Sequence, residues 1–307
     1  MIAREVSLFD KQAEERLNHG FIPDLRRFAK VDWLYNNVWR DPEFVKIHWM
    51  PRINNIINHA RASGKRALEL GCGCGMLSLE LARNGLDVTG VDVSPKSIEI
   101  ANKYKQENTY SKGFGFLRYE CGDFNRMEFE KEYFDSVIFF RSLHHVAKGD
   151  ELLSKVQDAL RKGGKLIVSE PVRAHFTKDS AQFAAILRTI LPTWIDHDEK
   201  LNKDWDAEIW ENEIDKIFKE YIMEDDHEQS PLDNSIDDAG DMINLMEKFF
   251  TIKEKSFSDA FIDKLIGGLR GEHKYDLARF LKFLDEYMVE KKILPPTSME
   301  LVAVKER

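Results

Sequence analysis

The sequence predicts an α/β fold: a mostly parallel sheet with helices on both faces. Three observations predict it. From residue 65 to about 172, short apolar runs alternate with helical patterns, as expected of parallel strands buried on both faces. A glycine-rich loop, GCGCG at 71–75, stands directly after the first run and before a helical pattern. Two acidic residues, Asp92 and Asp123, stand at or just past the ends of the second and third runs.

Residues 1–64 read as a helical N-terminal cap. It is dense in aromatics, Phe28, Trp33, Tyr35, Trp39, Phe44 and Trp49, which either pack the cap on the main domain or line a pocket. Residues 65–173 form the core. RALEL (66–70), DVTGV (87–91), FLRYEC (116–121), FDSVIFF (134–140) and KLIVSE (165–170) read as its strands. Helical patterns fall near 75–84, 95–108 and 150–162, the last stopped by RKGGKL, with glycines after the final turn and basic residues at its carbonyl end.

Residues 174–248 read as a helical lid insertion. Trp210, Ile214, Ile217, Phe218 and Tyr221 share one helical face there, and the acidic stretch 223–241 reads as a loop. Residues 249–307 return to the sheet with TIKEKSFS (251–258) and MELVAVKE (299–306). Between them lies a helical insertion over 259–294, with Leu277, Phe280, Leu281 and Leu284 as an apolar stripe.

The 307 residues carry a formal net charge of −9 with no dense run of Lys and Arg, which argues against a nucleic-acid backbone as partner. The three cysteines, Cys72, Cys74 and Cys121, fit a reducing cytoplasm and lack the companions of a zinc site. No stretch reads as a signal peptide or a membrane span. The oligomeric state is left open.

Glycines in ELGCGCG let the chain turn sharply after the first strand and let a ligand lie against bare backbone at a helix N-terminus. Cys72 and Cys74 fit there as small residues. Asp92 lies where a carboxylate accepts from a ribose diol. Asp123 lies where one accepts from an exocyclic amine, with Phe124 beside the base. Dinucleotide loops also begin G-x-G, but Met76 occupies their third small position.

With these motifs in view, ALELGCGCGMLSLELARNGLDVTGVDVSPKSIEIA resembles the opening of class I S-adenosylmethionine-dependent methyltransferases. The resemblance continues through CGDF, FDSVIFFRSLHHV and LRKGGKLIVSEP. It implies a Rossmann-like, seven-stranded sheet whose last strand is antiparallel and inserted beside the fifth. It implies S-adenosyl-L-methionine as cofactor, with Glu69, Gly71, Gly73, Asp92 and Asp123 at the family's cofactor positions. Backbone around Cys72, Val93, Phe124 and Arg141 would complete that pocket.

The expected activity is methyl transfer to a small-molecule acceptor, with O-methylation of a sugar or secondary metabolite preferred. Its candidate catalytic residues are His144 and His145, as bases for a hydroxyl, and Glu170, to orient the acceptor or cap a helix. Polar residues in the later insertions, His197, His227, Glu228, Gln229 and Asn234, are candidates to cover the acceptor. Arg270 either binds an anionic group or anchors the lid. The competing readings are a nicotinamide-dependent oxidoreductase or epimerase, and a non-catalytic cofactor-binding partner protein.

Overall fold

In the computed structural model, which describes residues 2–146, 148–222, 230, 232 and 235–306, the apolar runs become β1 (Arg66–Leu70), β2 (Asp87–Asp92), β3 (Leu117–Cys121), β4 (Phe134–Phe140), β5 (Leu160–Pro171), β6 (Thr251–Ser258) and β7 (Ser298–Val304). They form one sheet in the order β3-β2-β1-β4-β5-β7-β6. Strands β1 to β5 pair in parallel, and β7 lies antiparallel between β5 and β6. The seven-stranded, mostly parallel Rossmann-like sheet expected from the sequence is therefore the observed fold.

Strand alternation divides the interior into two cores. On β4, Ile138 faces one core, with Ile53, Leu81 and Phe261. Its neighbours Val137 and Phe139 face the other, with Leu68, Leu153 and Met242. Between the core strands run α4 (Met76–Arg83), α5 (Pro95–Gln106) and α6 (Gly149–Ala159). Ser94 starts α5 as an N-cap, its hydroxyl accepting from Ser97 N, and Pro95 opens the first turn. Strand order reverses between β1 and β4, and ligands of open α/β sheets bind outside such a point.

The cap contains α1 (Ile2–Asn18), α2 (Pro42–His48) and α3 (Met50–Ser63). Between α1 and α2 the chain is turns and a short 3-10 segment, Val38–Arg40, so the cap is helices joined by a non-helical stretch. Buried ion pairs hold that segment to the core, with Arg83 on Asp24 at 2.6 Å and Arg26 on Glu80 at 2.5 Å. After β5 come α7 (Lys178–Ile190), α8 (His197–Leu201), α9 (Ala207–Ile222) and α10 (Ala239–Glu247).

The second insertion differs from expectation. Residues 259–273 form two 3-10 turns, Ile262–Lys264 and Ile266–Gly268, and only α11 (Lys274–Glu290) is α-helical. The tie is long-range: the Asp285 carboxylate, on α11, accepts from the backbone N–H groups of Ala260, Phe261 and Ile262. On α11, Leu281 is buried but Phe280 is 55% exposed, so the apolar stripe is narrower than the sequence indicates. Strand β5 also begins earlier than read, because Leu160 already has extended dihedrals and pairs with Phe134 ahead of the glycines.

Candidate active site

A cavity of about 620 Å³ opens along the carboxyl ends of β1, β2 and β4. Its floor is the glycine loop. Gly71 N and Cys72 N both donate to Val91 O, at 2.8 and 2.9 Å. Gly71, Gly73 and Gly75 all have positive φ. A Cβ on Gly71 would lie 2.4 Å from Ser142 Cβ, whereas the Cβ position of Gly73 has no atom within 4 Å. The first glycine permits close packing, and the second leaves backbone open to the cavity. Gly71→Ala combines left-handed strain with a rigid clash. It should destabilise the fold by about 2–4 kcal/mol in urea unfolding; an unmoved midpoint would contradict the close approach.

Asp92 ends β2 inside the cavity. Its Oδ1 accepts from Ser94 N at 2.9 Å and its Oδ2 from Gly73 N at 2.7 Å. Burial raises its carboxyl above the ordinary range, against the pull of those two donors. Glu69, on β1, accepts from the Ser78 hydroxyl, and burial pushes it up to about 8. Asp123 Oδ1 accepts from Asn125 N and Nδ2, both at 3.0 Å. Phe124 stands edge-on to Phe139, and Val93 also lines the cavity. Burial pushes the Cys74 thiol up to about 11 and Cys72 well above its usual value. Both stay protonated thiols at neutral pH and read as small packing residues.

After β4, Arg141 N donates to Ser169 O at 2.9 Å and Arg141 holds φ +56, a conformation that costs a non-glycine residue energy and concentrates at functional sites. Glu170 is buried and engaged at both oxygens: Oε1 accepts from Ser142 N and Leu143 N, each at 2.7 Å, and Oε2 meets His144 Nδ1 at 2.6 Å. Burial would raise its carboxyl, but the charge and hydrogen bond of His144, with the two backbone donors, bring it below the ordinary value. His145 Nδ1 lies 3.2 Å from Glu5 Oε1 and 3.3 Å from Ser230 Oγ, and Phe9 meets its ring edge-on. Both histidines line the cavity.

Helix α1 closes the cofactor end through Glu5, Phe9, Gln12 and Arg16. Asp10 Oδ1 secures it, accepting from Ser94 Oγ at 2.6 Å and Lys96 N at 3.0 Å. The other end is aromatic. Trp39 stacks on Trp49 at 5.9 Å, Phe140 meets Trp49 edge-on at 5.8 Å, and Tyr221 completes the wall.

Sequence reasoning missed His48 and Asp263 at this end. His48 Nε2 lies 2.6 Å from Asp263 Oδ1. Burial would raise Asp263, but His48 outweighs it and holds the carboxyl down at about 2. His48, Asp259 and Asp263 place three possible ligand atoms within 4.8 Å of one another. Arg52 and Lys282 already sit on Asp259, so the group reads as an ion-pair network rather than a metal centre. No local motif announces it, because its members come from α2, α3, α11 and the turns after β6.

His197 bonds Thr189 O and lies outside the cavity wall. Arg270 donates to Gly267 O, Leu269 O and Tyr35 O, so it anchors the lid. His227, Glu228, Gln229 and Asn234 lie outside the described residues.

Open backbone at Gly73 and a buried carboxylate at the next strand end fit the nucleoside of S-adenosylmethionine. A doubly wound sheet with this loop at its switch point and an antiparallel β7 between β5 and β6 has the topology of the class I methyltransferase fold. The model of the methyltransferase domain family matches residues 61–221, and the chain belongs to that family. It is an S-adenosylmethionine-dependent methyltransferase, and S-adenosylmethionine is its cofactor. The nicotinamide and non-catalytic alternatives are set aside by this membership.

The chain is 29% identical over 171 residues to a ubiquinone biosynthesis O-methyltransferase of Coxiella burnetii, covering 55% of this chain and 68% of that protein. It is 30% identical over 150 residues to the protein of the same name from Nitrosococcus oceani, covering 48% and 61%. A geranyl diphosphate methyltransferase solved in complex with SAM shares the fold at TM-score 0.50 and 13% identity, over 86% of this chain and 89% of that one. Among the described residues, no helix is long and apolar enough to cross a membrane.

Proposed function

We propose that this enzyme methylates a hydroxyl of a small molecule, a sugar or secondary metabolite, held at the aromatic end of the cavity. The observation that carries the proposal is continuity. One cavity joins the glycine loop and Asp92 to the wall of Trp39, Trp49 and Tyr221, and the chain's own cap and insertions enclose it. Its O-methyltransferase relatives support oxygen as the acceptor atom.

In this reading Glu69, Gly71, Cys72, Gly73, Asp92, Val93, Asp123, Phe124 and the Arg141 backbone hold the cofactor. When bound, the cofactor supplies an electrophilic methyl group on a sulfonium. The protein's contribution is then orientation, exclusion of water and management of one proton. His145 is the proposed base. Its Nδ1 faces Glu5 and Ser230, and Nε2 has no hydrogen-bond partner among the described residues. Glu170 is a positioning residue in this scheme: it fixes His144 and the backbone of the turn, and it does not line the cavity.

His145→Ala should lower turnover about 10²–10⁴-fold with cofactor affinity nearly unchanged, measured by initial rates and calorimetry. Undiminished turnover would leave His145 a packing residue. The reaction itself is tested by incubating the enzyme with ¹³C-methyl-labelled donor and fractionated metabolites. Label in a methoxy carbon supports the proposal, and label on nitrogen or carbon overturns it.

A further inference from the structure

We propose that the acceptor carries an anionic group and that the Arg141 side chain receives it. The inference rests on the small-molecule reading above and narrows its substrate class. Arg141 lines the cavity at the junction of its two ends. Its guanidinium lies 5.1 Å above the Trp49 ring, and among the described residues no carboxylate comes within 4.0 Å of it. The carboxylate at that end, Asp263, is already engaged by His48.

The charge is placed with care. Arg141 N is tied to Ser169 O, the next two N–H groups are tied to Glu170, and φ is held at +56. The guanidinium over the indole face has no carboxylate in ion-pair contact among the described residues, with Asp263 felt only at longer range, and it fits a planar anion arriving from the cavity. Arginine offers a carboxylate or phosphate two parallel N–H donors. The cofactor offers an α-carboxylate of its own, so the test has to separate an acceptor anion from that one. Lys264, at the same end, is occupied by Glu220.

Matched pairs test this by calorimetry on protein saturated with S-adenosylhomocysteine. One pair is 4-hydroxyphenylacetate against its methyl ester, and the other is glucose 6-phosphate against glucose. At least tenfold tighter binding of the anionic member in one pair is expected, and which pair responds separates carboxylate from phosphate. Arg141→Gln should bring that ratio within twofold and Arg141→Lys should keep most of it. S-adenosylhomocysteine affinity is measured in both variants as well, and a loss there that matches the loss of acceptor binding assigns Arg141 to the cofactor carboxylate and overturns the inference. Equal affinities, no binding in either pair, or a preference that survives Arg141→Gln overturns the inference. Failure of the methoxy-label experiment strikes the O-methylation reading instead, so the two are separable.

Discussion

Asp92→Ala is expected to weaken binding of S-adenosylmethionine and its demethylated product by about 1–3 kcal/mol, roughly 5- to 150-fold. Two losses combine. The carboxylate proposed to accept from the ribose is removed, and so is the acceptor of Gly73 N at 2.7 Å, which shapes the open part of the loop. Asp92→Asn should fall between wild type and alanine, because an amide oxygen can still accept from one backbone N–H. Titration calorimetry reads both variants. Wild-type affinity in Asp92→Ala would remove the ribose role.

Arg52→Met should cost about 3–5 kcal/mol of stability, a large share of what a domain of this kind has. Arg52 is buried, pairs with Asp259, donates to Ser258 Oγ at 2.8 Å and reaches Glu300 Oε1 at 3.5 Å. Its removal leaves Asp259 buried with only Lys282 at 3.1 Å in ion-pair contact among the described residues and His48 nearby. Urea unfolding measures the loss, and a midpoint like that of wild type would show that the pair is dispensable.

The same network sets an acid limit. Burial would raise Asp259 and Asp263, but Arg52, His48 and Lys282 hold the first well below the ordinary range, and His48 holds the second at about 2. Depressed folded values stabilise the protein above the unfolded carboxylate pKa near 4. That stability is lost as pH falls from about 4 toward 2, so wild type should show its steepest network-dependent acid loss in that window.

Strands and cofactor loop were legible because both are written locally. RALEL and FDSVIFF fold as β1 and β4 over the residues expected of them. Buried parallel strands need little more than an unbroken apolar run, and a tight turn needs glycine at fixed spacing. Trp39 and Trp49, candidates for a pocket wall, do line the cavity, but the His48–Asp263 pair beside them was not legible, for the opposite reason. His48 gains its meaning from Asp263, which reaches it from a distant turn. That turn was itself misread, because Asp285 captures its N–H groups from a later helix. Glu170 was found as a strand-end carboxylate, yet only the three-dimensional turn reveals that both its oxygens are engaged. Periodicity reports which face is buried, and says nothing of which charge meets which.

Helix α1 lies across the mouth of the cofactor end, resting on α5 and fastened by the Asp10 and Glu5 links. Side-chain fastenings of this sort release far more readily than a sheet interior. Exchange of spent for fresh cofactor should therefore track how readily those fastenings open.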